Sequence, residues 1–198
     1  KSESQLARSA GYAGLLGAGH APEAWQIGGQ DSQGTLDLLT AISWLPMPAQ
    51  RSEQRGKIVE LVTGKAAAKA VRKQAIETLA VVPSQQQETF ELLVSFVSNA
   101  DYRTEAVRTL LTVPAKLRDA GLSQRVVEVL VQHAEATPAA KRTTDSFLDA
   151  MQLADQLLAR IPGEASRAYR NRLREITVRV VRIHTVEEEM RYDIPHFA

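Results

Sequence analysis

Apolar residues recur along most of this chain at helical intervals, and one stretch shows the pattern best. Val71, Ala75, Ile76, Leu79 and Val82 fall at i, i+4, i+5, i+8 and i+11, the spacing that lines one face of a 3.6-residue period. Pro83 then ends the helix, because it has no N–H to donate and pushes the preceding residue out of the α region. The segment returns 31 positions later, over residues 102–114, with six of thirteen positions identical: Arg72/Arg103, Ala75/Ala106, Thr78/Thr109, Leu79/Leu110, Val82/Val113 and Pro83/Pro114. Ile76 becomes Val107, which keeps the same kind of buried side chain. A helical unit recurring every few tens of residues predicts a solenoid, in which each unit buries its apolar face only against its neighbours.

An aliphatic residue followed by proline closes four predicted helices, at Pro46, Pro83, Pro114 and Pro162, with uneven spacings of 37, 31 and 48. Helical-pair repeats tolerate such loop insertions. Residues 1–19 predict one small-residue helix, and its Gly11, Gly14 and Gly17 predict a closely approaching neighbour. Residues 20–33 read as a loop in which Pro22-Glu23-Ala24-Trp25 begins a short helical turn. The period returns from Thr35 to Leu45, with Trp44 expected in the joint with the next repeat.

Residues 50–62 and 66–82 form the next pair, and Ser84 with Gln87 reads as a capping box for the helix from Thr89 to Val97. Asp101 is expected to cap the helix that ends at Val113, and Ser123 the one carrying Val126 to Val131. Thr137 before Pro138 is expected to cap a helix reaching Ile161. A last helix, 164–174, turns Arg167, Arg170, Arg172 and Arg174 outward. From Ile176 to Ile183 the pattern alternates and is rich in β-branched residues, which predicts a strand. The expected organisation is a helical repeat domain over 1–175 and an extended tail over 176–198.

Composition sharpens this picture. Aromatic residues make up 5% of the 198, which favours close helix packing over a sandwich or barrel. A net charge of +1 leaves no overall field to attract nucleic acid or an anionic membrane. The absence of cysteine excludes disulfides, thiolate zinc sites and a cysteine nucleophile, and no apolar run approaches the ~20 residues of a membrane span. The chain opens on Lys1 rather than Met, which leads to the expectation of a longer parent protein.

Candidate chemistry is sparse. His184-Thr185-Val186-Glu187-Glu188 lacks the second imidazole, one helical turn away, that a zinc-protease motif needs. His20 and His133 are singletons, and no Gly-x-Ser-x-Gly elbow occurs. The glycines near the start lack the preceding strand and the Lys-Ser/Thr of a phosphate loop. The arginines from 167 to 174 are bracketed by Glu164 and Glu175, as on a solvated helix face. No catalytic, cofactor or metal residue is assigned. Arg72, Ala75, Leu79, Pro83, Arg103, Ala106, Leu110 and Pro114 are assigned as structural repeat positions, the two arginines as bonding partners of a neighbouring repeat.

On the motif Val71-Arg72-x-x-Ala75-Ile76-x-x-Leu79 and its copy, the chain resembles the second helix of HEAT repeats over roughly residues 34–163. The aspartate such units carry six residues ahead of the arginine is replaced here by Ala66 and Val97, so a degenerate HEAT or armadillo-like unit is the closer description. The resemblance implies an all-α solenoid, a right-handed superhelix of antiparallel helix pairs. The helical pairs followed by Ile176–Ile183 and Met190-Arg191-Tyr192-Asp193 also resemble the repeat region of large exported bacterial proteins, in which a dehydrogenase-like propeller, a c-type cytochrome and a blue-copper domain share one chain. That resemblance implies a periplasmic or secreted location, with any haem or copper held elsewhere in the parent. The copper site would lie beyond Ala198.

The expected function is a non-catalytic scaffold that docks protein partners or neighbouring domains, with no nucleic-acid partner and with strand-mediated self-association. The alternatives are the scaffold part of a multidomain redox enzyme, and a stand-alone helical protein that binds a small molecule.

Overall fold

A computed structural model describes residues 4–176. Every regular element among them is helical. The chain divides into two compact units, with the boundary between Leu117 and Arg118.

The first unit opens with α1 (Gln5–Gly17), whose N-terminus is closed by the Ser4 hydroxyl accepting the Ala7 N–H. Then come α2 (Ala21–Gly28) and α3 (Ser32–Trp44), the latter capped by Asp31, which accepts the Gly34 N–H at 2.7 Å. The short α4 (Pro48–Glu53) leads into α5 (Arg55–Thr63), and α6 (Lys69–Thr78) runs on through a 3-10 turn, Leu79–Val81. Finally α7 (Gln86–Val97) and α8 (Arg103–Thr112) complete the unit. Both α1 and α2 pack on α3, α3 packs on α6, and α6 packs on α8, while α5 lies against α6 and α7 against α8. The core is aliphatic: Leu38, Ile42, Ile58, Ile76, Leu93 and Leu110 are fully buried along with Phe90.

The second unit contains α9 (Ala120–Ala136), α10 (Asp145–Leu158) packed on it, and a helix over residues 163–176. Ile176 and Phe147 close over Ala134, with Met151 and Leu173 beside them. The predicted strand from Ile176 to Ile183 lies outside the described residues except for Ile176 itself, which is helical and buried.

Several local expectations are corrected. Gly11, Gly14 and Gly17 have no close neighbour: a Cβ built on any of them meets nothing within 4 Å. What fixes α1 is instead a polar clasp, in which Arg8 Nε sits 2.5 Å from the fully buried Asp37 carboxylate and Gln33 Nε2 donates to it at 2.9 Å. Burial and the Asp37 charge raise the Tyr12 phenol above its ordinary value.

Close approach between helices falls instead at Gly28 and Gly34, where a Cβ on Gly34 would lie 2.7 Å from the Gly28 carbonyl oxygen. The supposed loop 20–33 is largely α2, because Pro22 suits a first helical turn and Ala24 and Gly28 are buried. Trp44 is 44% exposed and does not fill the joint.

The caps also moved. Gln85, not Ser84, precedes α7, and it takes a left-handed φ of 51° with no side-chain cap. Its carbonyl accepts from the Arg55 guanidinium at 3.3 Å. Tyr102 rather than Asp101 precedes α8, since Asp101 is engaged by Lys69. Asp119 caps α9 by accepting the Leu122 N–H, which leaves Ser123 buried within the helix. Thr137 ends α9 rather than starting a helix, and a 3-10 turn, Ala139–Lys141, separates it from α10.

Candidate functional site: the seam between the repeated helices

The eight repeat positions divide by physical role. Ala75, Leu79, Ala106 and Leu110 are buried in the first unit, and Pro83 and Pro114 are exposed just past the helix ends. The two arginines reach back to the end of the helix before them. Arg72 donates to the carbonyl of Gly64, the residue that closes α5, and Arg103 donates through Nε to Val97 O at 2.8 Å and through Nη2 to Ser98 O at 3.2 Å, at the end of α7. The last carbonyls of a helix have no intrahelical donor and carry the negative end of its dipole, so a guanidinium there supplies both hydrogen bonds and charge. Burial lowers the Arg103 pKa from its ordinary value.

Two further arginines, unnoticed in the sequence, do the same. Arg51 donates to Leu45 O at 2.8 Å beyond α3, and Arg142 to Thr137 O at 2.8 Å beyond α9. The signal for all four was an arginine five to eight residues past a helix end, a spacing that varies with the loop and so defeats a search for a fixed repeat.

Between α6 and α8 the contacts climb in step. Lys69 meets Asp101 at 2.6 Å, Lys73 meets Glu105 at 2.7 Å, and the Thr109 hydroxyl donates to Ile76 O at 2.8 Å. Partners that rise together in number mean that the two helices run parallel. Arg72 also donates to the Tyr102 hydroxyl at 3.2 Å, with its guanidinium 5.5 Å from the ring centroid, and Phe96 meets that ring edge-on. The hydrogen bond with Lys69 lowers the pKa of Asp101 and raises that of Lys69. Burial, followed by the neighbouring Glu105 charge, raises Glu77. The Glu105 carboxylate is nearly buried, one oxygen on Lys73 and the other without a hydrogen bond among the described residues.

This chemistry joins helices; it contains no nucleophile with an adjacent base. Among the described residues no group of three His, Asp or Glu side chains is placed to hold a metal ion. His20 lies 3.8 Å from Glu23 on the surface, and the His184 motif lies outside the described residues. A cavity of about 440 Å³ in the first unit is lined by Asp31, Thr35, Glu60, Lys65 and Val71 among others, and by none of the eight repeat positions.

The arginines of the last helix separate into two sets. Arg172 makes a two-pronged bond to Glu135, both distances 2.8 Å, and the neighbouring Tyr169 hydroxyl donates to Glu128 at 2.5 Å, clasping this helix to α9. Arg167 and Arg170 instead border a cavity. No family model matches the chain, and no curated protein or solved structure matches it.

Proposed function

We propose that the chain is a non-catalytic helical-repeat segment whose first unit is a degenerate HEAT-like stack serving to dock a protein or a neighbouring domain of a larger parent. The observation that carries this reading is the constant stepping of α6 against α8, Lys69 to Asp101 and Lys73 to Glu105, combined with an arginine joint in each pair. A repeat whose neighbour stands at a fixed offset is the elementary step of a solenoid. Aligned on the prolines, Trp44, Val81 and Thr112 occupy the same position, at the end of α3, of the 3-10 turn after α6, and of α8. All three are exposed, and Met47, three residues after Trp44, is 56% exposed. This row is the docking edge, because aromatic, Met and aliphatic side chains left in water are the anchors that protein interfaces bury.

The test is to titrate the domains that flank this segment in its parent protein against it, and against a W44S/M47S/V81S variant. Binding that weakens about tenfold or more in the variant supports the reading, since each lost anchor is worth on the order of 1–2 kcal/mol. Equal affinities remove the row from it. A Cys-x-x-Cys-His haem motif in the flanking sequence would make the parent a redox protein, as the second resemblance implies.

A further inference from the structure

In the second unit, the turn between α10 and the helix 163–176 borders an open pocket of about 310 Å³ lined by Leu158, Ala159, Ile161, Gly163, Ser166, Arg167 and Arg170. Its walls have two characters. Leu158 and Ile161 are buried aliphatic side chains that give it an apolar floor. Arg167 and Arg170 stand one helical turn apart, on the same side of their helix, and give it a cationic rim. No carboxylate lines the cavity among the described residues, in contrast to the larger cavity of the first unit, which has Asp31 and Glu60 in its wall.

The nearest structural use for these guanidiniums is already filled. The last carbonyls of α10 are served from within: Leu157 O by the Arg160 N–H at 2.9 Å, and Leu158 O by the Ile161 N–H and by the Ser166 hydroxyl at 3.0 Å. Ser166 is thereby committed, which leaves the two arginines as the polar side chains of the lining that can act on a guest. Neither is ion-paired among the described residues, whereas Arg172, on the same helix, is held by Glu135.

We propose that this cavity is a binding site for a small organic carboxylate, its apolar body on Leu158 and Ile161 and its carboxylate held by Arg167 and Arg170. Guanidinium forks match the two oxygens of a carboxylate in geometry and charge. A volume of about 310 Å³ is at the small end of the range for ligand pockets, enough for a short alkyl or aryl acid.

The probe is hexanoate, titrated at constant ionic strength into the ¹⁵N-labelled full chain, with hexanol and sodium chloride as parallel arms. The expected result is saturable shifts of the 158–170 amides with hexanoate. Binding should weaken about tenfold or more in R167Q/R170Q, the loss appropriate to two charge-assisted contacts, and stay unchanged in R174Q. Hexanol should bind about tenfold or more weaker than hexanoate. The proposal is overturned if chloride reproduces the shifts, if R174Q weakens binding as much as the double variant, or if hexanol binds as well as hexanoate. The comparison of hexanoate with hexanol uses the unaltered chain, so it decides even if the variants fold poorly.

Discussion

Replacing Arg103 by methionine tests the arginine joint directly. The side chain donates to Val97 O in a partly buried setting and to Ser98 O in an exposed one. Loss of a hydrogen bond from a charged donor to a carbonyl shielded from water costs about 1.5–3 kcal/mol. Water replaces the exposed bond, so it adds little, and removing a cation from the end of α7 adds about 0.3–1 kcal/mol. Against this, methionine avoids the cost of holding a partly buried guanidinium, which places the net loss at about 2 kcal/mol.

Both tryptophans, Trp25 and Trp44, lie in the first unit, so tryptophan fluorescence excited clear of the tyrosines follows that unit alone during urea unfolding. With a urea dependence of about 1–3 kcal/mol per molar, the midpoint should fall by about 1 M with an unchanged slope. R103K, which keeps the charge but not the fork, should fall between the two. A midpoint within experimental error of the parent protein would show that the α7 carbonyls do not need this guanidinium, and the joint would lose its place in the account of the fold.

Two other perturbations probe separate features. G14A should raise stability by about 0.5–1 kcal/mol, because the position is open and alanine is the better helix former. G34A should lower it by about 1–3 kcal/mol as its Cβ is driven into the Gly28 carbonyl; paired thermal melts check both, and equal effects would contradict the packing of α2 on α3. The clasp of the last helix on α9 should be acid-sensitive. A hydrogen bond from Tyr169 lowers the Glu128 pKa, and one from Arg172 lowers that of Glu135, so the stability they contribute is fully present above the ordinary carboxylate value of 4.5 and is lost as pH falls through the depressed values. Hydrogen exchange of residues 163–176 should therefore accelerate, after correction for intrinsic rates, as the solution is taken below about pH 4.5, and E135Q should respond less; identical responses would exclude the clasp.

The repeated helix was legible because identity and period coincided in it. Ala75, Leu79, Ala106 and Leu110 are buried as a 3.6-residue face requires, and Pro83 and Pro114 lie just beyond their helices. The seam was not legible, for a geometric reason. Parallel neighbours touch through opposite flanks, so Lys69 and Lys73 pair with residues 32 positions on, while the sequence repeats every 31. A search for recurring residues aligns equivalent positions and passes over those that meet. The caps failed for a related reason: Ser84, Asp101 and Ser123 each have the right chemistry for a helix start, but Asp101 is claimed by Lys69, and Asp119 rather than Ser123 takes the start of α9.

The sequence alone determined that the described residues are helical, where the repeated helices stop, and which of their aliphatic positions are withdrawn from water. These follow from backbone geometry and hydrophobic period, which act over a few residues. Tertiary structure alone decided that α1 is held by Arg8 on Asp37 rather than by its glycines, that Trp44 faces solvent, and that Arg172 is used while Arg167 and Arg170 border a cavity. Each of these depends on which side chain arrives from a distant part of the chain. A charged or small residue has the same local propensity whether or not a partner comes.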